Sequence, residues 1–136
     1  MKPEKQYISS GTPWEDRIGY SRAIRVGNVI EVSGTTAVDG EEIIGKGDMY
    51  AQTKFIFQKI EKALKEAGGS MKDIVRTRMF VTDISKWEEA GKAHGEFFAG
   101  IKPASTMVEI KSLIHPDLLI EVEVTALLPA EFPGSK

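Results

Sequence analysis

The chain has 136 residues, a length that suits one domain around one core. Its composition is that of an ordinary globular protein, and its formal net charge of -2 comes from acidic and basic residues mixed along the chain. The absence of cysteine excludes disulfides, thiolate chemistry and cysteine–zinc sites, and no basic block favours nucleic acid or a membrane surface.

Met1–Gly11 lacks the apolar stretch of a signal peptide, and no segment approaches the length of a transmembrane helix, so a cytoplasmic protein is expected. No repeat or low-complexity tract divides the chain. Residues 1–136 read as a single domain, with 1–18 as an N-terminal segment and 129–136 as a loose tail.

Arg22–Val26 and Val29–Gly34 are rich in β-branched residues, and Gly27-Asn28 between them is a two-residue hairpin turn. Ser33-Gly34 ends the second strand, where backbone amides could face a ligand. A loop at Gly45–Gly47 precedes a helix over Met49–Ala67. Thr53, Ile56, Phe57, Ile60, Ala63, Leu64 and Ala67 give that helix one apolar stripe, and Gly68-Gly69 ends it.

Ile74–Thr82 alternates as a strand, with Val75, Thr77, Met79 and Val81 on one face and Arg76, Arg78 and Phe80 on the other. Ser85 and Glu88 have capping-box spacing, which predicts a second helix. Trp87, Ala90, Gly91, His94, Phe97 and Phe98 form its buried stripe, and Gly100 stops it. Ala104–Lys111 is a strand with Ala104, Thr106, Val108 and Ile110 facing one way and Ser105, Met107, Glu109 and Lys111 the other. After the His115-Pro116-Asp117 turn, Leu118–Leu128 points Ile120, Val122 and Val124 inward and Leu119, Glu121, Glu123 and Thr125 outward.

The predicted order is β-β-α-β-α-β-β, an α+β domain with one sheet and both helices on one face. The other face is assigned Arg76, Arg78, Phe80, Met107, Glu109, Glu121 and Glu123. Such a face suits solvent or a subunit interface with paired charges, and the pattern alone leaves both open.

No Gly-rich phosphate loop, HExxH or EF-hand spacing is present, and two histidines make a histidine-built metal site unattractive. No metal or cofactor is therefore expected. His94 on an apolar stripe reads as a core or interface histidine, and His115 as a surface residue. Trp14 is either a packing anchor or part of a pocket wall. Glu121 and Glu123 fit salt bridges better than an acid–base pair. Composition and spacing thus define an α+β domain with a charged face, and no reaction.

Several segments together resemble the Rid superfamily, also called the YjgF or L-PSP endoribonuclease family. They are Gly19-Tyr20-Ser21, Gly27-Asn28, Val32-Ser33-Gly34, Glu66-Ala67-Gly68, Asp73-Ile74-Val75 and Phe80-Val81-Thr82-Asp83. Glu96-Phe97-Phe98, Lys102-Pro103-Ala104, Val108-Glu109-Ile110 and Ile120-Glu121-Val122-Glu123 follow in the family's order. The resemblance runs from about Gly19 to Leu128 and is weaker before Gly19. It implies a chorismate-mutase-like α+β fold and a homotrimer with small-molecule clefts between subunits.

The resemblance also implies site residues. Glu121 matches a glutamate that positions or activates the attacking water in deaminase members, and Tyr20 matches a tyrosine lining the cleft. Ser33 and Gly34 are retained, and Trp14 would add to the apolar wall. Deaminase members place an arginine after the Pro-Ala of the fifth strand to grip a carboxylate. Here Ser105 follows Pro103-Ala104, with Thr106 and Met107 after it, and a serine hydroxyl cannot replace a guanidinium fork. Gly91 stands where an asparagine is expected. Backbone amides near Ser105–Met107 would hold a substrate oxygen. By strand alternation, Arg78 either takes over carboxylate recognition or, as the favoured reading, pairs with Glu109, Glu121 or Glu123 and holds the trimer together.

The chain is thus expected to bind, or hydrolyse, a small imine or enamine-type metabolite. It departs from the standard 2-iminobutanoate or 2-iminopropanoate deaminases and leaves room for the arginine-lacking chemistry of aminomuconate deaminase. A non-catalytic metabolite-binding or interaction trimer is the alternative. Ribonuclease activity is disfavoured by the net acidity and the lack of a basic stripe. Neither a nucleic-acid nor a membrane partner is expected.

Overall fold

The structure is a computed structural model that describes residues 4–129. Strands β1 (Lys5–Ile8), β2 (Ala23–Val26), β3 (Val29–Thr35), β6 (Ile74–Val81), β7 (Ala104–Glu109) and β8 (Ile120–Leu127) form one sheet. Two short strands, β4 (Val38–Asp39) and β5 (Glu42–Ile43), pair only with each other. Helices are α1 (Pro13–Ile18), α2 (Met49–Glu66) and α3 (Trp87–Phe98). The sheet order is β1-β2-β3-β8-β6-β7, antiparallel except for the parallel β6–β7 edge pair. This is the expected mixed α+β architecture.

The core lies between α2, α3 and one sheet face. Ile56, Phe57, Ile60 and Leu64 of α2 are fully buried, as are Ile30, Val81, Ile120 and Val122 of the strands. Each such side chain contributes about 1.5–3 kcal/mol of burial free energy. Phe57 meets the Phe98 ring of α3 edge-on at 5.1 Å, which locks the two helices together. Asp48 caps α2 by accepting a bond from the Ala51 amide at 3.0 Å. The β2–β3 hairpin closes through Gly27 at φ +61, a glycine at the first turn position.

Several expectations need correction. The segment before Gly19 holds β1 and α1, which its polar composition did not reveal. Ile74, and not Val75, is buried at the start of β6; Val75 is 44 % exposed because the register with β8 shifts between Ile74 and Arg76. The turn before α3 is capped by Asp83, whose Oδ1 accepts from the Ser85 amide at 3.0 Å, so Ser85 is a donor to the cap and not the cap itself. Trp87 is 54 % exposed, and Ala93 takes a buried place on α3 in its stead. Helix α3 ends at Phe98, and the positive φ after it falls on Lys102 and not on Gly100.

The largest correction concerns β7. Ser105 pairs with Thr77 and Met107 with Met79, both buried beneath the helices, whereas Thr106 pairs with Arg78 and Val108 with Phe80. Met107 and Glu109 therefore lie on the helix-covered side, where Glu109 accepts from the Ile84 amide at 3.0 Å. Thr106 and Val108 belong to the open face instead, and Arg76 donates to Thr106 Oγ1 at 2.6 Å. Counting alternation within one strand cannot reveal which parity matches the neighbour, because register sets it. Of the tail expected at 129–136, residues 130–136 lie outside the described residues.

Candidate functional site

Two groups of polar side chains stand out, one at the β3 bulge and one at the β7 edge. In the first, the register of β3 with β8 shifts between Val32 and Thr35, placing Ser33 and Gly34 in an irregular stretch beside Glu121. Ser33 Oγ donates to the Ser21 carbonyl at 2.6 Å, and the Ser33 amide donates to the Arg22 carbonyl at 3.0 Å. A Cβ on Gly34 would stand 2.8 Å from Glu121 Cδ, so the missing side chain is what lets the carboxyl lie against the β3 backbone. Burial pushes the Glu121 carboxyl above its ordinary pKa; the Arg22 charge opposes that rise and the Glu123 charge adds to it.

Arg22 is the hub of this group, although its place at the start of a strand gave no sign of it. Its Nη2 donates to the Gly34 carbonyl at 2.6 Å, and its buried Nε has no hydrogen-bond partner among the described residues. Tyr20, Glu15 and Glu121 all bear on its charge. Glu15, only 6 % exposed, accepts from Ser9 Oγ at 2.9 Å and from the amide and hydroxyl of Ser10. Its carbonyl also receives the amides of Gly19 and Tyr20 at 2.9 and 3.0 Å. The left-handed turn at Gly19 (φ +92) then carries Tyr20, 39 % exposed, away from α1. Trp14 on α1 is 49 % exposed, with the Arg17 guanidinium 5.1 Å from its ring centre.

The second group lies across the sheet. Thr77 Oγ1 is 2.9 Å from His94 Nε2 and donates to Ser105 Oγ at 2.8 Å. Gly91 is one turn before His94, and an added Cβ there would meet only Trp87 Cε3, at 3.9 Å. Burial lowers the pKa of His94 below that of a free imidazole.

Within one chain the two groups stay apart. Glu121 pairs with Phe80 and Ser105 with Thr77, three residues along β6 and on opposite faces. Strand spacing puts their Cα positions on the order of 14 Å apart. Arg78 sits on the open face with its Nη1 3.7 Å from Glu123 Oε1. Together with Ile24, Glu31 and Ser33 the pair lines a hollow of about 420 Å³. Among the described residues no cluster of three or more His, Cys, Asp or Glu could hold a metal ion, and no helix is long and apolar enough to cross a membrane.

Known proteins give this arrangement its setting. The family described as endoribonuclease L-PSP matches residues 14–128. The 3-aminoacrylate deaminase RutC of Acinetobacter baylyi is 30 % identical over 125 residues, which cover 91 % of this chain and 98 % of the relative. A RutC family protein of Pyrococcus abyssi is 39 % identical over 109 residues, covering 79 % of this chain and 84 % of that protein. A crystal structure of a YjgF/YER057c/UK114 family member from Mycobacterium tuberculosis superposes with a TM-score of 0.84 at 42 % identity, over 92 % of this chain and 100 % of that one. The match from α1 through β8, at these identities and with this strand order, makes the chain a member of the endoribonuclease L-PSP family, the Rid or YjgF superfamily.

Proposed function

We propose that the chain assembles as a homotrimer and hydrolyses the C–N bond of a small enamine or imine in clefts between its subunits, with Glu121 handling the water. The observation that carries this reading is the Glu121 carboxyl itself. It is half-buried beside Gly34, its pKa is raised by burial, and the Arg22 charge stands close by. A carboxyl poised in this way takes a proton from water as the water adds to carbon, and returns one later. For 3-aminoacrylate, the compound in the A. baylyi relative's name, water replaces the amine to give 3-oxopropanoate and ammonia.

A cleft between subunits is consistent with the separation of Glu121 from Ser105, Thr106 and Met107 in one chain. Tyr20, Ser33 and Trp14 would line the side nearer Glu121, and Gly91 with Ser105 the side contributed by β7. Because β7 is an edge strand, part of its backbone faces away from β6 and is free to hold a substrate oxygen. Ser105 offers no charge to a carboxylate, so 2-iminopropanoate should be a poor substrate. The Arg78–Glu123 pairing favours an assembly role for Arg78 over a ligand role.

The test is ammonia release from 3-aminoacrylate generated in situ, with 2-iminopropanoate in a parallel assay. Both compounds carry a carboxylate that Ser105 cannot pair, so both should show a high KM, and Glu121→Gln should lower the turnover of either by about 10²–10⁴-fold. No ammonia from either compound, under conditions where the A. baylyi deaminase is active, overturns the enzymatic reading. A small molecule retained in the cleft without turnover would identify a metabolite-binding trimer instead.

A further inference from the structure

Two side chains that the proposed hydrolysis leaves unused, His94 and Thr77, stand in line with Ser105 on the helix-covered side of the sheet. The line starts at the half-buried His94 imidazole, passes through the fully buried Thr77 hydroxyl and ends at the exposed Ser105 hydroxyl on edge strand β7. Its two links are 2.9 and 2.8 Å. Each hydroxyl has one proton to donate and lone pairs to accept, so the line has two arrangements. With a proton on Nε2, His94 donates to Thr77, Thr77 donates to Ser105, and the Ser105 hydrogen is released toward solvent. With Nε2 bare, Ser105 donates to Thr77, Thr77 donates to Nε2, and Ser105 turns its lone pairs outward. Passing from one to the other moves one proton between interior and surface and leaves both hydroxyls neutral.

We propose that His94, Thr77 and Ser105 form a proton relay that opens on the ligand site, with Ser105 meeting the ligand and His94 storing the proton. The proposal rests on the reading that the β7 edge borders the substrate cleft. An enamine must gain a proton at carbon before water can add, and the carbinolamine formed must gain one at nitrogen before ammonia leaves. In each delivery the ligand takes the Ser105 proton, Ser105 takes that of Thr77, and Thr77 takes the Nε2 proton of the His94 imidazolium, leaving a neutral imidazole. The reverse sequence reloads His94 from water.

The surroundings favour release of the proton from the imidazolium. Phe57 of α2 and Phe98 of α3 face the imidazole, with ring centres 5.6 and 4.5 Å away, and Thr77 approaches from β6. No charged side chain among the described residues contributes to the shift of its pKa, which comes from burial alone. Open room at Gly91 leaves that side of α3 uncrowded. His94 and Thr77 act through Ser105 and are positioning residues for the proton, while Ser105 touches the ligand.

The relay is tested first without substrate, by following the His94 ring nitrogens by NMR through a pH titration. Ser105→Ala should displace the Nε2 signal or its titration midpoint, and that displacement should vanish in the Thr77→Val protein, which keeps the shape of the side chain and cuts the line. Thr77→Val alone should lower the midpoint by about half a unit to one unit, the worth of a hydrogen bond that favours imidazolium. Equal effects of Ser105→Ala with and without the Thr77 hydroxyl would overturn the relay, even in an active enzyme. Where 3-aminoacrylate is turned over, Thr77→Val should lower kcat by about 10²-fold or more and remove the His94 limb of the pH profile, and Thr77→Ser should restore both. Full activity with an unchanged profile in Thr77→Val would also overturn it. Absence of turnover in the wild-type protein would defeat the proposed hydrolysis and leave the NMR result to decide the relay.

Discussion

A Cβ on Gly34 would lie 2.8 Å from both Cδ and Oε2 of Glu121, closer than carbon atoms tolerate. Both atoms belong to the far end of a flexible side chain, so the carboxyl swings away and the backbone has no need to move. Gly34→Ala should therefore cost about 1 kcal/mol, at the low end of overpacking penalties, because the displaced group is mobile. Activity should fall much further, since Glu121 loses its place beside the β3 backbone. Thermal unfolding and the ammonia assay together check this. A large stability loss with normal turnover would show that Gly34 serves the strand and not the carboxyl.

At the scale of elements, α1 has only six residues and no side-chain cap, too little to hold itself in water. What fixes it is Glu15, buried against donors from Ser9 and Ser10. Burial alone would raise the carboxyl pKa. The bonds from Ser10 and Ser9, with the Arg22 charge, outweigh that and hold it below its ordinary value of 4.5. A carboxyl depressed in the folded state stabilises the fold above its unfolded pKa, and that stabilisation fades as acidity carries the pH through the folded value. Glu15→Gln should cost about 1–3 kcal/mol near neutral pH, the range for hydrogen bonds to a charged group. Denaturant titrations of both proteins at falling pH should show the gap closing below 4.5. A gap of constant size would mean that packing, and not charge, holds α1.

This element also marks the limit of what a sequence discloses. Helix α2 was legible because its apolar stripe has helical spacing and Gly68 follows it, and β8 because Ile120, Val122 and Val124 alternate with polar residues. Segment β1–α1 was hidden because its order comes from Glu15 reaching back to Ser9 and Ser10, a contact that leaves no periodicity. On β7 the alternation was visible, but its facing was not, since pairing with Thr77 and Met79 decides it. Tyr20 and the water-handling role of Glu121 come from the family resemblance, whereas Ser33-Gly34 and the Glu121/Glu123 pair also stand out in the residues themselves. Arg22 meets Gly34, and Thr77 meets His94 and Ser105, only once distant strands and helices come together.

On the scale of the whole molecule, the open sheet face is where the proposed assembly is tested. It carries Arg76, Arg78, Phe80, Thr106, Val108, Glu121 and Glu123, with apolar and charged groups interleaved. In a single chain the Arg78–Glu123 pair is 3.7 Å apart, with side chains 41 % and 39 % exposed, and such surface pairs are worth about 0–1 kcal/mol. Covered by neighbouring subunits, the same pair loses its water, and removing one partner leaves a buried, uncompensated charge that costs about 3–5 kcal/mol. The two situations therefore predict different outcomes for one substitution. If this face is the threefold interface, the wild-type protein should scatter light as three times its 15.0 kDa chain mass, and Arg78→Ala should weaken assembly by about 10²-fold or more while the secondary structure persists. If the face is solvated, Arg78→Ala should leave both mass and unfolding midpoint nearly unchanged. A wild-type monomer at micromolar concentration would remove the intersubunit cleft altogether, and with it the route by which Ser105 of one chain could reach Glu121 of another.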